Sequence, residues 1–173
     1  MHKKLIEVHC PVDFEVYDAN SRLVGKIIDN EVVEGSIKGI AISVDGDQKN
    51  VVLPSDKKYT LKLTATDNET MNYTVKSIAP MSCQALETKA FANVSLTSGK
   101  LMTSAVGDVA TNEVQLLVTD SAGNPIASVN SDGTETAISN KQYFKLWGKI
   151  TRWEKKPLNW ILLSSASAGF GWR

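Results

Sequence analysis

Short runs of alternating apolar and polar residues fill the first part of the chain, from residue 11 to about residue 75. Phe14 and Val16 alternate with acidic residues, and the same period of two returns at Leu61 and Leu63. This period is typical of strands that bury one face. Turn-forming Asp, Asn and Gly residues separate the runs at intervals of about 8–12 residues. The pattern therefore predicts an all-β domain, either a sandwich or a barrel.

The same alternation predicts which side chains form the core. Successive strand residues point to opposite faces, so one set from each run should point inward. The predicted core residues are Phe14, Val16, Val24, Ile27, Ile42, Val44, Leu61, Leu63, Tyr73 and Val75.

Residues 14–27 resemble residues 116–129 at a constant offset of 102. Phe14 corresponds to Leu116, and Asp18 corresponds to Asp120. Each segment reads as a strand, an Asp-initiated turn and a return strand, which is common hairpin chemistry. Internal duplication and shared turn chemistry explain the likeness equally well, and both interpretations stay open.

Charge divides the chain near residue 140. The sequence as a whole is neutral, with 19 basic and 19 acidic residues, but residues 141–173 carry a net +6 and residues 1–140 a net −6. All four tryptophans also lie in residues 141–173. These shifts predict a β-sandwich domain over residues 1–140 and a separate tail over residues 141–173. The overall balance argues against a nucleic-acid binder, which should carry a basic excess.

The tail has the pattern of a basic amphipathic helix. One predicted face is apolar, with Phe144, Trp147 and Ile150, and the other is basic, with Lys145, Lys149 and Arg152. Trp153 and Trp160 add further large rings. This composition is typical of segments that lie in a membrane interface. Docking of the tail on the sandwich is the other interpretation, because an acidic domain can attract a basic segment. Both stay open.

No constellation for catalysis is visible in the sequence. The only histidines are His2 and His9, and no G-x-S-x-G elbow occurs. His9 and Cys10 cannot act as a dyad, because neighbouring strand residues point to opposite faces. The sequence therefore predicts a protein that is not an enzyme.

Two weaker binding sites can be considered. Asp45 and Asp47 are the best candidates for a calcium site, although Asp and Gly are also what a tight turn requires, and the turn is the favoured interpretation. No other cofactor is expected. Tyr17 and Phe91 lie outside the predicted core, so they are the rings left to stack on a carbohydrate.

Cys10 and Cys83 are the only cysteines. A disulfide between them would close a loop of about 70 residues and stabilise the fold by roughly 4 kcal/mol. Pairing requires the two Cα atoms to lie within about 7 Å of each other. The paired and the free states are both open.

A resemblance to a known class of module rests on several short motifs. They are Cys10-Pro11-Val12-Asp13-Phe14-Glu15-Val16-Tyr17-Asp18, Leu23-Val24-Gly25-Lys26-Ile27, Val44-Asp45-Gly46-Asp47, Leu53-Pro54, Tyr59-Thr60-Leu61-Lys62-Leu63 and Asn72-Tyr73-Thr74-Val75. Over roughly residues 8–135 the chain resembles β-sandwich accessory modules found near the C-termini of large secreted or surface proteins of Firmicutes-type bacteria, some with hydrolase domains upstream. The resemblance implies an Ig-like antiparallel sandwich and an extracellular setting, and it carries no catalytic residues.

These observations lead to a functional expectation. The chain is expected to be a non-catalytic accessory or scaffold module of a secreted or cell-surface bacterial protein. A carbohydrate- or cell-wall-binding module attached to a hydrolase is the alternative. Because the first residues lack the apolar run of a signal peptide, the chain is expected to be part of a longer precursor. Its expected partners are the upstream domains of that parent chain, and a membrane surface or cell wall through the tail.

Overall fold

The computed structural model describes residues 2–34, 37, 39–80 and 84–139. The chain divides into two compact units, Met1–Ile138 and Ser139–Arg173. The division lies close to the boundary that charge predicts. The fold below is that of the first unit.

The tail predictions fall outside the described residues. This applies to its helical pattern and to the choice between membrane contact and docking, for Phe144, Lys145, Trp147, Lys149, Ile150, Arg152, Trp153 and Trp160. They stay predictions.

Thirteen strands and one short helix make up the described fold. In chain order the strands are β1 (Lys3–His9), β2 (Val12–Asp18), β3 (Leu23–Ile28), β4 (Glu31–Glu34), β5 (Ala41–Asp45), β6 (Gln48–Pro54), β7 (Lys58–Ala65), β8 (Thr70–Ile78), β9 (Ala85–Ser95), β10 (Leu101–Gly107), β11 (Leu116–Thr119), β12 (Pro125–Val129) and β13 (Glu135–Ala137). A 3-10 helix, Thr111–Glu113, is the only helix in this part of the chain.

The strands form two antiparallel sheets. The smaller sheet has the order β5-β6-β1-β8-β9, and the larger has the order β13-β12-β11-β10-β7-β2-β3-β4. Their inner faces share one apolar cluster, which includes Ile6 and Tyr73 from the smaller sheet and Phe14 and Leu61 from the larger. The structure thus confirms an all-β fold with two sheets packed as a sandwich.

The predicted core is confirmed with one correction. Eight of the ten predicted side chains are buried, but Ile42 and Val44 are only half-buried. Both lie on β5, the outermost strand of the smaller sheet, so no neighbouring strand covers their outer side. Alternation identifies the inner face of a strand but not its distance from the edge of the sheet.

The first and the last strand of the sandwich run in the same direction. Cys10 and Pro11 carry it from the end of β1 to the start of β2, and antiparallel pairing then fixes the direction of every later strand. β1 begins at Lys3, at what we call the entry end, and finishes at His9, at the exit end. β13 runs toward the exit end, and its last residue, Ala137, lies in the same row of the sheet as Met102 and Phe14.

The two edges of the sandwich differ. At the β9 edge, the turn after β12 packs on the smaller sheet, where the Ala92 amide donates to the Ser131 carbonyl at 2.9 Å. Gly133 in this turn has φ +85°, and a Cβ there would lie 2.4 Å from the Ala92 carbonyl oxygen. At the other edge, β4 and β5 are the outermost strands of their sheets, and residues 35–40 connect them.

The two hairpins of the suspected repeat have matching turns. The Asp18 carboxylate accepts bonds from the Asn20 and Arg22 amides, at 2.8 and 3.0 Å. Asp120 accepts from the amides two and four residues onward in the same way, at 2.9 and 2.8 Å. The hairpins also occupy equivalent positions in the larger sheet, because β2–β3 lies next to the central strand β7 and β11–β12 lies next to the central strand β10. The turn that starts at Asn130 has the same backbone bonds without belonging to the repeat, so duplication and turn chemistry both remain open.

Candidate functional site

A cleft of ≈ 620 Å³ opens at the entry end of the sandwich. The β2–β3 turn, the β6–β7 turn and the connection before β5 enclose it. Its lining is Asp18, Ala19, Asn20, Arg22, Leu23, Val24, Ile37, Ile40, Lys57, Lys58 and Tyr59. The volume lies within the range of about 300–1,000 Å³ that small-molecule sites occupy.

The polar groups of this cleft are largely engaged with one another. The Arg22 guanidinium lies 2.7 Å from Asp18 Oδ2, and the Arg22 side chain remains 73% exposed. The Arg22 backbone amide and guanidinium lower the pKa of Asp18 and keep it ionised. Burial raises the pKa of Tyr59, and the nearby charges of Asp56 and Asp18 add to this effect. Because its lining carboxylate is bonded to Arg22, the cleft offers cationic and apolar contacts rather than a general base.

The structure separates the two rings that the sequence left for carbohydrate binding. Phe91 is buried in the core, where its ring centroid lies 5.8 Å from that of Tyr73. This corrects the expectation that Phe91 is exposed. Tyr17 is half-buried on the larger sheet, donates to Glu15 at 2.8 Å, and has the Lys62 ammonium 4.6 Å from its ring centroid. Tyr17 and Phe91 therefore cannot form one stacking surface.

Asp45 and Asp47 flank the tight turn between β5 and β6. Both are exposed, Gly46 between them has φ +58°, and the Asp47 carbonyl accepts a bond from the Cys10 amide at 3.3 Å. In the described ranges, no group of three or more His, Cys, Asp or Glu residues is placed to hold a metal ion. The turn geometry accounts for this Asp-Gly-Asp sequence, and calcium binding stays a prediction.

The exit end contains an internal lysine that sequence reasoning missed. Lys49 is fully buried and donates to the Cys10 carbonyl at 2.8 Å. Burial lowers the pKa of Lys49, and the nearby Cys10 and Asp47 oppose this effect. Burial also raises the pKa of the Cys10 thiol to about 12, so the thiolate needed for nucleophilic chemistry does not form near neutral pH. Cys83 lies outside the described residues, so its pairing with Cys10 stays a prediction.

A second internal lysine lies toward the entry end. Lys4 is 4% exposed, and its ammonium donates to the Thr111 hydroxyl at 2.5 Å. Burial lowers the pKa of Lys4, and Glu87 opposes that effect. Thr111 belongs to the 3-10 helix, so this bond ties β1 to the connection between β10 and β11. No sequence signal marks such a lysine except its place in the alternation with Ile6 and Val8.

Two further observations concern membrane-crossing helices and similarity to known proteins. The described residues include no helix that is long and apolar enough to cross a membrane. Comparisons of the chain with protein-family models, curated proteins and solved structures gave no match.

Proposed function

We propose that this chain is a non-catalytic β-sandwich module that acts as a spacer or scaffold in a secreted or cell-surface bacterial protein. One observation carries the proposal: the first strand begins at the entry end of the sandwich, and the last strand runs away from that end. A domain threaded in this way lengthens its parent chain by its own long dimension. Domains upstream in such a parent chain are the proposed partners.

The placement of polar groups supports this proposal. The internal lysines each have a hydrogen-bond acceptor, the Asp18 carboxylate is bonded to its own turn, and the Cys10 thiol is buried. Each of these groups can be assigned a structural role, since buried polar groups in stable folds are normally hydrogen-bonded.

An Ig-like form of the sandwich is part of the proposal. Two antiparallel sheets packed face to face are common to this fold and to Ig domains. The position of β1 differs, because it lies between β6 and β8 rather than at an edge as the first strand of an Ig domain does.

A pair of spin labels tests the threading. Labels at His2→Cys and Ala137→Cys, in a Cys83→Ser background, should lie clearly farther apart than a control pair at the entry end. The control pair, His2→Cys and Asp56→Cys, should be much closer, because the Ser55 amide donates to the His2 carbonyl at 3.2 Å. Equal distances for the two pairs would contradict the spacer proposal.

Binding to cell-wall polysaccharide is the second candidate function, and the entry-end cleft is the observation that favours it. Sedimentation of the full chain with purified peptidoglycan distinguishes the two functions. A spacer should remain in the supernatant. Co-sedimentation that Arg22→Ala abolishes and Tyr17→Ala does not would support a wall-binding module that uses the cleft.

A further inference from the structure

The edge formed by β4 and β5 has the features of an unfilled strand position. β4 is the outermost strand of the larger sheet, and all four of its residues are exposed. Val32 and Val33 are 45% and 63% exposed, which is unusual for consecutive β-branched residues in a strand. Among the described residues, no strand pairs with the outer side of β4. The register of β4 against β3 shifts at Val33, so the outer amides and carbonyls on either side of this bulge are the ones available to a further strand.

Apolar side chains continue from β4 across to the smaller sheet. Ile37, in the connection, is 42% exposed, and Ile42 and Val44 on β5 are half-buried. At the opposite edge, the turn that contains Gly133 covers part of β9, at Ala92 and Asn93. The two edges of the sandwich therefore differ, and we call the edge formed by β4 and β5 the open edge.

The open edge is acidic. Residues 29–47 contain five acidic residues and one basic residue, a net charge of −4. Glu31 and Glu34 lie at the two ends of β4, Asp45 ends β5, and Asp29 and Asp47 lie in the exposed turns at the exit end. A bound segment with basic side chains would therefore gain favourable charge contacts along its length.

The sequence of β4, Glu-Val-Val-Glu, discourages pairing with a second copy of this chain. In-register antiparallel pairing would bring Glu31 of one copy opposite Glu34 of the other, and parallel pairing would bring each glutamate opposite itself. Like charges directly opposite each other destabilise a strand pair. Basic residues spaced three apart in a partner strand would instead face both glutamates.

We propose that the open edge binds an extended basic segment of a partner protein, which adds to β4 as a further antiparallel strand. The backbone of β4 supplies the hydrogen bonds, Val32 and Val33 supply apolar contacts, and Glu31 and Glu34 select lysine or arginine at a spacing of three. This mode of recognition takes its affinity from main-chain bonds and its specificity from side-chain contacts. The inference does not depend on the spacer function.

Two short peptides test the proposal on the ¹⁵N-labelled full chain. The basic probe is Ac-Lys-Val-Thr-Lys-Val-Thr-Lys-NH₂, and the acidic probe replaces each lysine with glutamate. At low ionic strength the basic probe should shift the amide resonances of Val32 and Val33 and bind at least about tenfold more tightly than the acidic probe. The difference should shrink as salt shortens the Debye length to about 8 Å.

Charge reversal provides the decisive variant. Glu31→Lys combined with Glu34→Lys should reverse the preference, so that the acidic probe binds more tightly. Leu86→Lys, at an exposed position on the outermost strand β9, is the matched control and should leave the preference unchanged. Equal binding of both probes would overturn the proposal, and so would resonance shifts centred on β9. Dimerisation of the wild-type chain through β4, detected by sedimentation, would overturn it as well.

Discussion

At the scale of single residues, two lysines inside the sandwich show how a charge is tolerated there. Lys4 and Lys49 occupy inward positions on the neighbouring strands β1 and β6, where Lys4 pairs with Leu53 and Lys49 pairs with Val8. The two lysines are therefore several residues apart and near opposite ends of the sandwich. Each long side chain reaches an acceptor, Thr111 or the Cys10 carbonyl. Burial without such an acceptor would cost several kcal/mol.

Core packing gives the first prediction. Leu61 is fully buried, so Leu61→Ala should lower the free energy of unfolding by about 2–5 kcal/mol through the cavity it leaves. Leu86 is 57% exposed, so Leu86→Ala should change it by no more than about 0.5 kcal/mol. Urea titrations of both variants measure the difference. Equal effects would mean that the strand faces are assigned wrongly.

The Cys10 thiol gives a prediction in alkaline solution. Its pKa is raised from 9.0 to about 12 in the folded chain. Between these values the unfolded thiol ionises and the folded thiol does not, so the stability present below pH 9.0 is lost as pH rises. Where the thiol is fully ionised in the unfolded chain and still protonated in the folded chain, each rise of one pH unit lowers the free energy of unfolding by about 1.4 kcal/mol.

Cys10→Val should remove this contribution. Urea titrations between pH 8 and about 10.5 should show a shallower decline for the variant than for the wild type, because other titrating groups affect both chains alike. Cys10→Ala, which also lacks the thiol, should match the slope of Cys10→Val despite a lower baseline stability. Parallel wild-type and variant curves would contradict the raised pKa.

At the scale of elements, two turn glycines allow the energetic cost of backbone strain to be compared with the added cost of a steric clash. Gly123 and Gly133 have nearly the same φ, +84° and +85°. A Cβ at Gly123 would meet nothing within 4 Å, whereas one at Gly133 would lie 2.4 Å from the Ala92 carbonyl oxygen and 2.5 Å from that of Asn93. Only Gly133 takes part in closing the β9 edge.

Alanine at each position should therefore have different effects. Gly123→Ala should cost about 1–2 kcal/mol, the usual cost of left-handed backbone in an alanine. Gly133→Ala should cost clearly more, because its methyl group must displace backbone of β9. Thermal unfolding of both variants measures the gap. If the two costs are the same, the turn does not hold the edge closed.

Element prediction succeeded where the inward positions are apolar. The runs around Phe14, Leu61 and Tyr73 became β2, β7 and β8, because alternation is unbroken there. The apolar run around Ile27 became β3, although Val24 and Gly25 are both buried and interrupt the alternation. β1 was not predicted, since Lys4 at an inward position breaks the apolar pattern. β4 was not predicted either, because all four of its residues are exposed and no face is marked.

At the scale of the whole molecule, the entry-end cleft is a feature that local sequence patterns do not predict. Arg22 follows β2, Ile40 precedes β5, and Lys57 precedes β7, so three distant connections meet at the entry end. Their meeting depends on how the two sheets pack, which local periodicity does not specify. The sequence predicted that Tyr17 and Phe91 are both outside the core, and this is wrong for Phe91. Its burial depends on the position of β9 next to β8, which local periodicity does not specify either.

The boundary near residue 140 gives the prediction for the tail. If residues 141–173 form an interfacial membrane segment, a chain that ends at Asn140 should keep its melting temperature. It should lose binding to anionic vesicles, to which each lysine or arginine near the surface contributes about 1 kcal/mol.

Salt and vesicle charge provide the controls for this prediction. Binding of the full chain should weaken as salt rises and should be absent on neutral vesicles. Unfolding of the shortened chain would show instead that residues 141–173 complete the fold and would exclude the membrane interpretation.

The central place of β1 also bears on how the chain can fold during its synthesis. Within this domain β1 is the first strand to leave the ribosome, yet both of its partners come much later, β6 at Gln48–Pro54 and β8 at Thr70–Ile78. Until β8 has emerged, Ile6 and Val8 lack the neighbours that bury them in the folded sheet. The nascent domain must carry these apolar residues without their full set of neighbours until β8 has been made, and contacts so distant in sequence are slow to form. A chaperone that holds β1 would act over this interval.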